Sequence, residues 1–176
     1  IRAAASYARG EDVTFLRPGM SPGASEGIII QKSIKGVSDL KGKTLAVGYG
    51  GTSHYSLASI LDQTGLTGQV VVQNIDASGQ MAPFLDGTLD GYYTFGDYYA
   101  NGIKKAGGHS IFDSSTASKW GKESSLVHFI RNPFLKAHPR FVANFLKLTA
   151  VNDNHYLKHQ KSKNLGPWGD EGALIA

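Results

Sequence analysis

Residues 48–65, GYGGTSHYSLASILDQTG, place Gly48, Gly50 and Gly51, then Thr52, Ser53 and His54, where a strand would give way to a helix. Three chemistries use such a stretch. In the first, glycines let the backbone approach a phosphate, and Asp76 stands where a ribose-binding carboxylate would close the next strand. Against it, Ser53 occupies the third glycine position and no lysine follows the loop as a Walker motif demands. In the second, Ser53 is a nucleophile on a sharp turn with His54 beside it. Tyr55, however, replaces the closing glycine of that elbow, and a helper histidine normally comes from far along the chain. Ser53 therefore reads as a helix cap rather than a nucleophile. The third chemistry breaks no bond: the first amides of a helix and its positive dipole end hold an anion, with the Thr52 and Ser53 hydroxyls as extra donors. A plain structural reading, in which Thr52 and Ser53 only cap, stands beside it.

Other candidates are weaker. His155 and His159 have the i, i+4 spacing of a metal pair, but Tyr156 stands where a zincin pattern has glutamate and a third ligand is lacking, so they read as surface histidines and no metal or cofactor is expected. Tyr92, Tyr93, Phe95, Tyr98 and Tyr99 form an aromatic cluster at a strand end. Such clusters are usually core, yet ligands of open α/β sheets gather at the carboxyl ends of strands, where Phe95 to Tyr99 would lie. Asp97, in the same turn, is either a helix cap or a ligand contact.

These residues need elements to position them. Apolar, β-branched and aromatic runs predict strands at 12–17, 26–31, 44–48, 70–75, 90–95 and 126–131. Helical periodicity covers 53–65, with Leu57, Ile60, Leu61 and Thr64 on one face, and 138–157, with Phe141, Phe145, Leu148 and Asn152 on one face. Pro83 delays a helix in 77–87 until about Gln80. Strands alternating with helices predict an α/β fold with mainly parallel sheets.

With 41% apolar and 18% charged residues the chain is an ordinary globular one, and no run approaches the roughly 18 apolar residues of a membrane span. The opening IRAAASYARGEDV lacks the layout of a signal peptide, so the expectation is a chain whose leader was removed or which is a fragment. Without cysteine, disulfides and thiol catalysis are excluded. The net charge of +4 comes from dispersed lysines, with only KHQKSK (158–163) locally dense, and it gives no stripe for nucleic acid.

The run SEGIIIQKSIKGVSDLKGKTLAVGYGGTSHYSLASIL (25–61) resembles the periplasmic solute-binding proteins of ABC importers for taurine and aliphatic sulfonates, with their strand, D-L-x-G-K, strand, and Ser/Thr-rich loop before H-Y-S-L. FLDGTLDGYYTF (84–95) and RNPFLKAHPRFVANFLK (131–147) are similar to two further stretches in the same order. The resemblance implies a two-lobed α/β fold of the type II periplasmic-binding kind. One lobe would be 34–123 and the other 1–33 with 124–176, and the second would be incomplete, because members of that family are longer. It implies no enzyme: an extracytoplasmic monomer, periplasmic or lipid-anchored, closes on a small sulfonate-like anion and presents it to a membrane permease. It also carries the sulfonate to Gly51, Thr52, Ser53 and His54, and makes Glu26 a candidate for an ammonium group. Phe95, Asp97 and Tyr98 stand where relatives read W-x-P-Y. The acidic position that taurine binders carry falls on Leu126, which leaves Asp97 as a further source of charge. Two enzyme readings remain as rivals. One is a relative that makes thiamin pyrimidine, which relies on a cysteine motif this chain lacks, and the other a nucleotide-dependent α/β enzyme.

Overall fold

The computed structural model describes residues 2–19, 25–122 and 124–159, and within them the chain divides into two compact units. The larger spans Ser21–Ser125, and the smaller joins Arg2–Met20 to Leu126–Ala176. The larger unit takes in the strand at 26–30 as an interior strand of its sheet. The tail from 160, with most of the basic run, lies outside the described residues.

The larger unit is built on a five-stranded sheet in the order β4-β3-β5-β2-β6. Its strands are β2 (Glu26–Ile30), β3 (Thr44–Val47), β4 (Val71–Asn74), β5 (Gly91–Phe95) and β6 (His109–Asp113). Helices α2 (Thr52–Gln63), α3 (Met81–Leu85), α4 (Gly96–Lys104) and α5 (Ser114–Lys119) connect them. Parallel pairing holds for β3 with β4 and with β5, whereas β2 runs antiparallel to both β5 and β6. The sheet is therefore mixed, with β3, β4, β5 and β6 running one way and β2 alone against them, for a topological reason. β2 starts at the edge where β3, β5 and β6 end, so it must run against them. The sequence reading missed β6, because HSIFD is short, polar at three positions and only half-buried.

Both faces of this sheet are covered, which explains its near-continuous apolar strands. Ile28, Ile30, Leu45, Val47 and Tyr93 pack against Leu57, Ile60 and Leu61 of α2 on one face. Ile29, Ala46 and Tyr92 pack with Phe84 and Leu89 on the other. Each of the isoleucines of β2 is fully buried and contributes about 1.5–3 kcal/mol relative to exposure. Alternation along β2 and β5 divides the side chains cleanly: Glu26 pairs with Phe95 and Ile28 with Tyr93 on the α2 face, while Gly27 pairs with Thr94 and Ile29 with Tyr92 on the opposite face.

The smaller unit holds α1 (Arg2–Ala8), β1 (Val13–Pro18), β7 (Val127–Arg131), α6 (Asn132–Ala137) and α7 (Pro139–His159). β1 and β7 pair antiparallel, and the ribbon is extended by the Gly19 amide donating to the Leu126 carbonyl at 2.8 Å. Thr14 donates to Asn132 at 2.5 Å and Asn132 to Asp12 at 2.6 Å. In α7 the buried face is not the expected one. Val142 is buried with Phe145 and Leu146 partly so, while Phe141 and Leu148 are 61% and 70% exposed. Among the described residues no helix is long and apolar enough to cross a membrane.

Candidate functional site

Strand direction fixes where the candidate residues meet. β3, β5 and β6 end at one edge of the sheet, and β2 begins there. The loop 48–51, Phe95 to Tyr98, Asp113 and Glu26 therefore all stand at that carboxyl edge, the position where open α/β sheets take ligands.

The loop is held by specific contacts. Asn74, at the end of β4, accepts from the Tyr49 amide at 2.9 Å, and the Tyr49 hydroxyl donates back to the Val72 carbonyl at 2.9 Å. The Tyr49 ring stacks on His54 with centroids 4.4 Å apart and planes within 9°. The Gly50 amide donates to His54 Nδ1 at 3.3 Å, so this nitrogen carries no proton and Nε2 bears it in the neutral ring. Gly50 has φ +79°, a conformation that favours glycine, and a Cβ on Gly48 would stand 2.9 Å from Asp76 Oδ1. Asp76 thus packs against the protein's own loop, so the dinucleotide reading loses its carboxylate.

The cap of α2 differs from the sequence expectation. Gly51 is the capping residue, in an extended conformation, and no side chain closes the helix end. Thr52 and Ser53 lie inside the first turn, Thr52 partly exposed and Ser53 buried. A helix of 12 residues therefore begins with amides that no side chain of its own caps, behind a glycine loop. Such an end attracts negative charge.

Phe95 and Tyr98 are 51% and 42% exposed and meet edge to face with centroids 6.3 Å apart. Exposed aromatic rings at a strand end are what a ligand-covering surface requires. Asp97 is exposed in the first turn of α4, beside them. Tyr92 and Tyr93 are instead core residues, at 1% exposure each.

Glu26 sits deeper than expected. It is 1% exposed, and its Oε1 accepts from the hydroxyls of Ser114, Ser124 (2.8 Å) and Tyr93 (3.4 Å), with Tyr93 and Ser114 themselves 3.0 Å apart. Burial and then the charge of Glu26 push the Tyr93 hydroxyl well above its ordinary pKa, so it stays a donor. The carboxylate expected to face a ligand is thus already holding the protein's own hydroxyls, fastening β2, β5 and the start of α5 together. Ser114 and Ser124 were missed in the sequence, although Asp113 to Thr116 carries a helix-start signature that would have found the first. Asp113 caps α5 by accepting from the Thr116 amide at 2.9 Å. Burial raises its carboxyl, but hydrogen bonds from Ser115 and Thr116 outweigh this and hold it below the ordinary range.

Leu126 lies in the smaller unit and is 45% exposed. His155 and His159 both fall on α7, and among the described residues no group of three His, Asp or Glu could hold a metal.

Comparison with known proteins places these features in a family. The model of the family described as NMT1/THI5 like matches residues 3–162. The taurine-binding periplasmic protein of Escherichia coli K12 is 33% identical over 126 residues, covering 71% of this chain and 39% of that relative. Three solved structures are similar in fold. The periplasmic aliphatic sulphonate binding protein SsuA of E. coli superposes with a TM-score of 0.72 at 21% identity over 89% of this chain and 54% of its own. SsuA of Methylobacillus flagellatus KT gives 0.66 at 23% over 94% and 49%. The alkanesulfonate-binding protein SsuA of Xanthomonas axonopodis pv. citri, solved with MOPS, gives 0.61 at 18% over 97% and 60%. The chain therefore spans between about two fifths and three fifths of the length of these relatives.

Proposed function

The chain belongs to the NMT1/THI5-like family, and from that premise we propose that it is an extracytoplasmic solute-binding protein, capturing a small sulfonate-like anion and delivering it to the membrane permease of an ABC importer. One observation carries this reading: α2 opens behind the Gly48–Gly51 loop, at the carboxyl edge of the sheet, with no side chain capping it. Backbone amides at Gly51, Thr52, Ser53 and His54, with the hydroxyls of Thr52 and Ser53, supply donors to the three oxygens of a sulfonate. Hydrogen bonds to a charged ligand are worth about 1.5–3 kcal/mol each, so three or four reach the −8 kcal/mol of micromolar affinity. Phe95 and Tyr98 cover the carbon chain, and Asp97 adds negative charge next to them for a ligand that also carries an ammonium. In this role no bond is made or broken, and the protein works as a monomer in the periplasm or its extracytoplasmic equivalent. A seven-heavy-atom ligand at a ceiling of about −1.5 kcal/mol per atom is limited to roughly −10 kcal/mol, or tens of nanomolar.

Thermal unfolding with taurine, alkanesulfonates, sulfate and NAD tests the reading. A ligand at a hundredfold excess over Kd stabilises by about 2.7 kcal/mol. Stabilisation by sulfonates that disappears in the double variant Thr52→Val, Ser53→Ala is the expected result. Because neither side chain caps α2, that variant should melt close to the parent without ligand. Stabilisation by NAD alone would overturn the proposal in favour of a nucleotide-dependent enzyme.

A further inference from the structure

β4 is an edge strand of the five-stranded sheet, and the flank of α2 lies over it. Between the two is a recess of about 190 Å³. Leu57, Ala58 and Leu61 of α2 form one wall, and Val70 and Val72, at alternate positions on the sheet face turned to that helix, form the other. The stacked rings of Tyr49 and His54 close the end next to the Gly48–Gly51 loop. Thr67 and Gly68, in the connection that leaves α2, close the other end. Leu57 and Leu61 are buried at the floor, whereas Ala58 and Thr67 are exposed, so the recess is reached from solvent.

The polar atoms of this lining are largely turned to the protein itself. The Tyr49 hydroxyl donates to the Val72 carbonyl at 2.9 Å and His54 Nδ1 accepts from the Gly50 amide at 3.3 Å, which leaves His54 Nε2 and the Thr67 hydroxyl as the other polar side-chain groups. Among the described residues no Asp, Glu, Lys or Arg lines the space. Ordered water needs two to four polar partners, and an apolar space of about 150 Å³ walled by leucine, isoleucine and phenylalanine takes up benzene instead. The recess is slightly larger and similarly walled, so it admits a single ring.

We propose that the recess between α2 and β4 is a second ligand site, for a small uncharged aromatic ring. Leu57, Leu61, Val70 and Val72 hold the ring by dispersion, and the Tyr49–His54 stack meets it through the edge-to-face or offset contacts that aromatic groups prefer. A charged ligand is rejected, because nothing in the lining replaces its lost hydration. Walls on both flanks and at both ends make this a pit rather than a groove, which suits a free molecule and not an extended segment of a partner protein. The site uses side chains on the flank of α2, whereas the anion reading uses the amides at its tip, so each stands or falls by itself.

The test is an NMR titration of the whole chain with benzene, following the methyl groups of Leu57, Leu61, Val70 and Val72, in the parent and in Ala58→Phe, Val72→Thr and Val71→Thr. Ala58 is exposed on α2, so a phenylalanine there fills the recess without entering the core. The expected result is saturable shifts at those methyl groups with a Kd of about 1 mM or tighter in the parent. Binding should weaken by roughly tenfold or more in Ala58→Phe, and by about threefold in Val72→Thr, which adds a hydroxyl to the wall. Val71 lies on the other face of β4 and is 55% exposed, so Val71→Thr should bind as the parent does. Each Kd is read from folded-state signals, so partial unfolding of a variant lowers their intensity and not the constant. Shifts that rise without saturating, or saturable binding that Ala58→Phe leaves unchanged, overturn the inference while the anion site stands.

Discussion

The two units are stabilised in different ways. The larger has interior strands covered on both faces and supplies every fully buried large side chain among the described residues. The smaller has a two-stranded ribbon, Val142 as its one buried hydrophobic residue among those described, and exposed Phe15, Phe129, Phe141, Leu148 and Val151. A two-stranded ribbon is marginal in water by itself. The edge proposed for anion binding, with Gly51 and Phe95, belongs to the unit with the dense core, whose backbone can hold amides within the tolerance that such binding would require.

The contrast can be broken at several levels. Ile29→Ala in the larger unit should cost about 2–5 kcal/mol in urea unfolding, whereas Leu148→Ala should change stability by no more than about 0.5 kcal/mol. A comparable loss from both would erase the distinction. Next in size, Glu26→Ala removes the buried acceptor shared by the hydroxyls of Ser114, Ser124 and Tyr93 and should cost about 1–3 kcal/mol. The corresponding change in the smaller unit, Asp153→Asn, which removes the partly exposed pair with Arg17, should cost less than about 1 kcal/mol. Smaller again, Asp113→Ala removes the cap of α5 for about 1 kcal/mol. Because the folded state depresses the Asp113 carboxyl below its reference of 3.8, this contribution is present above that value and is lost as pH falls through the folded one. The difference in melting temperature between parent and variant should therefore shrink on acidification from pH 5 to 2. The smallest effect is expected at Tyr92, whose hydroxyl has no partner and which burial pushes up to about 12. Tyr92→Phe should be close to neutral at pH 7. A raised folded pKa means that its stabilisation is intact below about 10 and fades as pH rises to about 12. The variant should lose less stability than the parent over that interval.

Much of the larger unit was legible in the sequence, because its signals are local. Ile28 to Ile30 announce a strand buried on both faces, and Leu57, Ile60 and Leu61 announce the covered face of α2. The loop at Gly48–Gly51 was legible for the same reason. Strand direction was not, since a run such as EGIII pairs equally well either way, and only the point at which the chain enters the sheet decides. Glu26 was read as a ligand group because no local pattern shows Ser114 and Ser124, 88 and 98 residues away, arriving at its carboxylate. In α7 the periodicity was correct and the face was not. Val142, Phe145 and Leu146 form a stripe only one residue displaced from Phe141, and helix period alone does not choose between them.

The bond from Thr14 to Asn132 closes a loop of 118 residues, and the whole larger unit lies inside that loop. On a ribosome, β1 emerges early and must wait for β7, while every strand of the five-stranded sheet has already been made. The inserted unit can therefore finish folding first and bring the two halves of its host together, shortening the search that an open chain of that length would face. Slowing translation just after residue 125 should then be harmless to assembly, whereas weakening the inserted core should delay pairing of a ribbon it does not contain.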